Sequence, residues 1–472
     1  MDPLDISTQE FRFLAEKIVA LSVDYLDGMD SRPTFPATSG AENERLFSTS
    51  LPETGMGAAA FAALSDVVAN SRVQNGRFYG YVQGPGEPVA ALADLVTSIL
   101  NQNMTAWRSS PAGITIERTV VRWLAEAIGC KDYSGTLTGG GSAANLMGLT
   151  MAREAKLAAN ERGLHAARAG VIYASDQVHM AVPKAVAMIG VGRDNLRMIP
   201  SDGSYRMIVS KLEDAIRRDK TAGLVPVAVV ASAGTVNTGA IDPLGDIAEV
   251  ARTHGSWLHV DGAYGALAAI KAPEKFAGLS LADSVSLDPH KWLYQPLDCG
   301  CLLYRDVAMA RKTFAYTGDY AKNLNTDPTE GFAYFEESFE LSRRCRALKL
   351  WLSLRYHGLE AFRNAIQKDL DYTKRLAATV AKTPMLELVG QGSLSVVCFR
   401  HMVRREASNE ERNRFNTALL KRSVARGKVY LSNATLEGKF CLRACFVNHL
   451  TKDSDVDAIV PEVLASAEEL RA

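Results

Sequence analysis

Ser284–Asp306 reads SVSLDPHKWLYQPLDCGCLLYRD. One short apolar run ends at Asp288-Pro289, a second runs from Cys299 to Tyr304, and His290, Lys291 and Trp292 stand between them. Lysine is strongly solvated and seldom sits at the mouth of two buried strands without a reason. When desolvated it gives up its proton readily and becomes an amine nucleophile. The stretch therefore predicts two core strands with a reactive amine at their junction.

The surroundings carry the same pattern. Between residues 85 and 360, short β-branched runs (GVIYASD from Gly170, VPVAVVASAG from Val225, SWLHVDGAYG from Ser256) recur at intervals. Helical patterns such as DPLGDIAEVARTHG (Asp242–Gly255) lie between several of them, and ALADLVTSILNQNM and IERTVVRWLAEAIG precede them. Continuous apolar strands alternating with helices predict a mostly parallel sheet covered on both faces. Residues 361–472 change character: a helical stretch leads to LSVVCFR, VYLSNATL and FCLRACFV and then to a last helix, a smaller α+β unit. Residues 1–84 read as helices joined by Pro/Gly-rich connections, too thin to bury a core of their own.

At 472 residues the chain is too long for one small domain. Its 53 basic and 53 acidic residues cancel, so no global field recruits nucleic acid or an anionic membrane. The acidic, polar start MDPLDISTQEF has no signal-peptide core, and no apolar run is long enough for a membrane span. The seven cysteines lack C-x2-C spacing and paired histidines, which argues against a metal and for reduced core thiols in a cytoplasmic protein.

Candidate chemistry follows the strand ends. TGGGSAANLMGLTMAREA (Thr138–Ala155) sets Gly141 and Ser142 where a helix starts, and free N–H groups there suit a phosphate. Taken singly, the stretch is more readily a tight turn capped by Ser142. It matches neither the dinucleotide nor the triphosphate fingerprint. HVDGAYG puts Asp261 at a strand end, as metal ligand, base, partner of a protonated ring nitrogen, or simple turn cap. His179 and Thr235 follow two further apolar runs, and each alone reads as a structural residue. Together, a phosphate, a protonated ring nitrogen and a lysine-reactive carbonyl are three handles of pyridoxal 5′-phosphate.

With HVDGAYG and DPHKW both in place, the chain resembles the group II pyridoxal-phosphate-dependent amino-acid decarboxylases, from FYGY near Tyr79 to LRACFVNHLTKDSDVD after Leu442. The resemblance implies a PLP-dependent transferase fold of type I, with a large α/β domain around a mostly parallel seven-stranded sheet and a small C-terminal α+β domain. It implies a homodimer with active sites at the subunit interface, the N-terminal zone wrapping the partner. Lys291 would bind the cofactor covalently, Asp261 pair with the pyridine nitrogen, Ala263 lie beside the ring and His179 stack on its face. Gly141 and Ser142 would sit at the phosphate, Thr235 near the cofactor, and His290 at phosphate or substrate. Members carry a loop tyrosine that protonates the carbanion; counting back from LSRRCRALK gives Tyr334, with Tyr316 and Tyr320 as alternatives. An ordinary buried tyrosine beside Phe332 and Phe335 is the competing reading of Tyr334. Trp107 and Pro111 match the aromatic members' pocket, whereas Val82 and Gln83, after Tyr81, replace an aromatic and a proline found in eukaryotic ones. The expected reaction is decarboxylation of an aromatic L-amino acid. An acidic or aliphatic substrate, aldehyde synthesis and transamination are the alternatives.

Overall fold

The computed structural model describes residues 4–167, 169–316 and 327–471. Its large sheet has seven strands: β1 (Ser134–Thr138), β2 (Gly170–Ser175), β3 (Leu196–Ile199), β4 (Val225–Ser232), β5 (Trp257–Asp261), β6 (Ser284–Leu287) and β7 (Gly300–Tyr304). Their spatial order is β1-β7-β6-β5-β4-β2-β3. The pairs β6–β5, β5–β4, β4–β2 and β2–β3 are parallel, and only β7 runs against its neighbours β6 and β1. β6 returns as its antiparallel neighbour β7 through residues 288–299, the segment that carries Lys291. The strands β2, β5, β6 and β7 are buried along their whole length, as continuous apolar runs in a doubly covered sheet require.

A second, antiparallel sheet holds β8 (Leu386–Gln391), β9 (Val396–His401), β10 (Ser432–Leu436) and β11 (Lys439–Cys445) in the order β10-β11-β9-β8. The helical stretch Ala347–Lys382, broken at Gly358, joins the two units. Its Leu350, Phe362, Ile366 and Leu370 pack into the core of the large sheet, and its Tyr372, Leu376 and Val380 into the core of the small one.

The N-terminal zone is divided. Of the helix Thr8–Gly28 only Leu14 is buried, while Phe11, Phe13, Val19, Val23 and Leu26 face outward. Residues 75–84 instead join the C-terminal unit: the Tyr79 amide donates to the Tyr430 carbonyl at 2.8 Å, and the Cys445 amide to the Tyr79 carbonyl at 3.0 Å. All seven cysteines are free thiols. Among the described residues no helix is long and apolar enough to cross a membrane.

Candidate active site

The sheet brings the candidate residues to one edge. Strands β1, β2, β4, β5 and β6 all end there, leading into Gly140–Ser142, His179, Thr235, Asp261 and Asp288–Lys291 respectively. Ligands of open α/β sheets gather outside the carboxyl ends of strands. Register holds the two central ends level, with Asp261 beside Ser232 of β4 and Ser286 of β6.

Lys291 lies in the single helical turn Pro289–Trp292. Its Nζ is 2.9 Å from Asp288 Oδ2, with the lysine side chain 22% exposed and the aspartate 2%. His290 Nε2 is 3.6 Å from the same oxygen, and burial pulls this imidazole below its ordinary value. The flanking aromatic residues anchor the turn: Trp292 Nε1 and Tyr294 Oη both donate to Asp369 Oδ2, at 2.9 and 2.7 Å. Trp292 also stacks on Tyr264, 5.4 Å between centroids, and Tyr264 Oη reaches Ser395 Oγ at 2.7 Å. The segment just after Lys291 is thus tethered to residues that belong to, or lead into, the C-terminal unit.

Asp261 is buried and receives three donors: Asn145 Nδ2 at 3.0 Å on Oδ2, and Ser286 Oγ at 3.1 Å and the Ala263 amide at 3.2 Å on Oδ1. Three donors fix the orientation of the carboxylate. His179, half-buried after β2, accepts from the Ala181 amide at Nδ1, 3.2 Å away. Burial lowers its pKa, and the charges of Asp261, Lys291, Asp288 and Lys184 act on it, so its ring shares the field of the same cluster.

The glycine loop closes the group. Gly140, at φ +132°, turns the chain into the helix Gly141–Leu157, whose first turn has no side-chain cap. A Cβ on Gly141 would lie 2.7 Å from Ala263 Cβ and 3.0 Å from Asp288 Oδ2, so the helix start is pressed against the Asp261 and Lys291 segments. Asp288 Oδ1 is buried there without a hydrogen-bond partner. An uncapped helix N-terminus, a buried carboxylate, an imidazole and a primary amine around one orphaned polar atom are the donor set pyridoxal 5′-phosphate requires. The residues fit the cofactor. Among the described residues no group of three or more His, Cys, Asp or Glu side chains could hold a metal ion.

Other candidates stand apart. Thr235 is buried with its hydroxyl committed to its own loop, 2.9 Å from Thr238 Oγ1 and 3.1 Å from the Ala240 amide. Tyr334 is not on an exposed loop, contrary to the composition of its surroundings. It is 1% exposed, packed with Met104 and Ile114, edge-on to Phe332 at 4.8 Å and 4.4 Å beneath the Arg343 guanidinium. That guanidinium is held by Glu117 and by the Met104 and Leu137 carbonyls, so the ring is drawn inward to cover a buried charge. Tyr316 is almost fully exposed, and Tyr320 lies outside the described residues. Trp107 and the helix-opening Pro111 flank the Tyr334 cluster; Tyr81 contacts Tyr430 and Val82 packs on the large core. Sequence reasoning missed Asp288, Asn145 and Ser286. Only Asp288 carried a signal, three residues before Lys291 in DPHKW.

Comparison with known proteins agrees with this assembly. The family model described as pyridoxal-dependent decarboxylase conserved domain matches residues 66–402. The chain is 35% identical to an aromatic-L-amino-acid decarboxylase of Bacillus atrophaeus, over 99% of this chain and 97% of that one. It is 30% identical to a phenylacetaldehyde synthase of Petunia hybrida, covering 96% and 93%. Among solved structures, Oryza sativa TDC with PLP and tryptamine superposes with a TM-score of 0.92 at 28% identity, over 100% of this chain and 99% of that one.

Proposed function

The chain belongs to the pyridoxal-dependent decarboxylase family, and from that premise we propose that it converts an aromatic L-amino acid into its amine and carbon dioxide. It is a pyridoxal 5′-phosphate-dependent amino-acid decarboxylase. The observation that carries the reading is the convergence of Lys291, Asp261, His179 and the Gly141 helix start at one sheet edge. The likeness to the Bacillus enzyme supports the aromatic substrate.

When bound, the cofactor supplies an electron sink for the pair left as the Cα–carboxylate bond breaks. The protein's own groups do the rest. Lys291 provides the amine that attaches the cofactor, and Asp288 Oδ2 holds its Nζ at the strand end. Asp261, its carboxylate fixed by three donors, would pair with the pyridine nitrogen. His179 covers the ring face in its neutral form, since burial lowers its pKa. The amides of Gly141 and Ser142, at the start of an uncapped helix, hold the phosphate, and His290 flanks that loop. Ala263 lies against Gly141, and Thr235 shapes the adjoining loop. The proton returned to Cα comes from Tyr316 or Tyr320 rather than from the sealed Tyr334.

We assign the enzyme to the cytoplasm, consistent with seven free thiols, and to a homodimer. Outward-facing Phe11, Val19 and Val23, with Leu92, Leu95, Val96 and Ile99 on the helix Pro88–Leu100, form the apolar surface a second copy would cover. Tyr81, Val82, Trp107 and Pro111, none bonded to Lys291 in their own chain, then complete substrate pockets at the interface. Aldehyde synthesis is the second reading, favoured by the Petunia relative. The test is incubation of cofactor-loaded protein with the twenty common L-amino acids and 3,4-dihydroxyphenylalanine, with products identified by mass spectrometry. Amines from tyrosine, phenylalanine, tryptophan or 3,4-dihydroxyphenylalanine are expected. An amine from an acidic or aliphatic substrate alone overturns the aromatic pocket, and aldehyde without amine overturns the decarboxylase end-product.

A further inference from the structure

Behind Asp261 runs a line of buried polar groups that the reaction does not touch. Trp257 Nε1 is 2.9 Å from Ser284 Oγ, Ser284 Oγ is 2.8 Å from His259 Nδ1, His259 Nε2 is 2.8 Å from Asn145 Oδ1, and Asn145 Nδ2 is 3.0 Å from Asp261 Oδ2. Ser284, His259 and Asn145 are 0–1% exposed. Four polar side chains in a row inside an apolar core are costly unless every donor finds an acceptor.

The two ends decide the direction of every bond. An indole N–H can only donate, so Ser284 accepts from Trp257 and keeps its own hydrogen free for His259 Nδ1. A carboxylate only accepts, so Asn145 turns its NH2 toward Asp261 and its oxygen toward His259, which must carry a hydrogen on Nε2. The Asp261 end fixes the neutral tautomer of His259, and the free hydrogen of Ser284 matches it at Nδ1. Burial lowers that imidazole to about 4, so the tautomer persists through the neutral range. The backbone is shaped around the line: a Cβ on Gly148, one turn after Asn145, would fall 2.6 Å from His259 Nδ1 and 3.2 Å from Ser284 Oγ.

We propose that His259 and Asn145 are positioning residues, the last members of a one-way hydrogen-bond chain from Trp257 that keeps Asp261 aimed at the cofactor's ring nitrogen. The inference rests on the reading of Asp261 given above. Ser286 and the Ala263 amide hold the other oxygen, so the relay governs Oδ2 alone.

The test compares native protein with Asp261→Asn, Asn145→Leu, His259→Leu, His259→Gln and Ser284→Ala. Apoprotein is titrated with pyridoxal 5′-phosphate by visible absorbance, and the bound band is followed against pH, with a thermal melt to show that each variant folds. Asn145→Leu and His259→Leu are expected to weaken cofactor binding about ten- to hundredfold, the factor one hydrogen bond to a charged group carries, and to make the band pH-dependent. His259→Gln, whose amide N–H can still reach Asn145, recovers most of the affinity. In an Asp261→Asn background, Asn145→Leu costs nothing further. Native affinity and a native band profile in folded Asn145→Leu and His259→Leu, while Asp261→Asn loses both, would reduce the chain to core structure. Native behaviour in Asp261→Asn would instead remove the reading of Asp261 and the relay with it. If His259→Leu does not fold, Ser284→Ala, which deletes one hydroxyl, decides the question by the same two measurements.

Discussion

Glu117 and Arg343 are both fully buried and joined by a direct ion pair. Arg343 also donates to the Met104 carbonyl at 2.7 Å, Thr136 Oγ1 at 2.8 Å and the Leu137 carbonyl at 3.0 Å, and Glu117 accepts from the Leu137 amide at 3.0 Å. Truncating one partner of such a pair leaves a buried charge, and Glu117→Ala is expected to cost about 3–5 kcal/mol. With an unfolding entropy of about 2.1 cal/mol/K per residue, 472 residues give roughly 1 kcal/mol/K, so the melting temperature falls by about 3–5 °C. In an Arg343→Met background no cation is stranded, and the same substitution should cost only about 1 kcal/mol, the worth of the Leu137 hydrogen bond. Differential scanning calorimetry of the four proteins, apo and at one concentration, reads the cycle. Equal losses in the two backgrounds would refute the claim that Glu117 exists to neutralise Arg343.

Four further outcomes follow from the site and core. Lys291→Ala abolishes turnover and the visible band of bound cofactor; a retained covalent band would move the attachment elsewhere. Tyr334→Phe leaves the amine as product, because the hydroxyl is sealed beneath Arg343, whereas Tyr320→Phe or Tyr316→Phe diverts product toward aldehyde; product ratios by mass spectrometry separate the cases. Burial raises Asp369 to about 6, so ionising it works against the fold, and its contribution is full below about pH 4 and lost as pH rises through 6. Asp369→Asn should therefore gain on the native protein between pH 4 and 6 in thermal melts, and a parallel pair of curves contradicts this. Tyr81→Ala changes the preference among phenylalanine, tyrosine and tryptophan if this residue walls a pocket; an unaltered kcat/KM ranking removes it from the wall.

The large sheet was legible because β2, β4, β5, β6 and β7 are short, mostly apolar runs that are buried along nearly all of their length. Two strands were not. β1, SGTLT, has one large apolar residue and showed only as the approach to a glycine loop, and β3, LRMI, is a half-exposed edge strand of four residues. The site was legible where chemistry restricts the residue type: an amine, a carboxylate and an uncapped helix start have few substitutes. Asn145, Ser284 and Ser286 were silent because an amide or hydroxyl reads as a cap or a surface residue until its partners are known. The burial of Tyr334 was hidden for a related reason. Pro, Gly and acidic neighbours describe a loop, but not that a buried guanidinium draws one ring of it into the core.

The shared acceptor on Asp369 has a mechanical meaning. Trp292 and Tyr294 follow Lys291 by one and three residues, and both lean on one carboxylate of the helical stretch that passes from the large core to the small one. A turn of the C-terminal unit about that stretch would be transmitted to the lysine as a displacement. Cut away residues 361–472, and an indole and a phenol are left inside the protein with nothing to bond. The larger unit, which carries Lys291, cannot be harvested as a minimal enzyme, because the segment of its reactive amine is anchored from the smaller one.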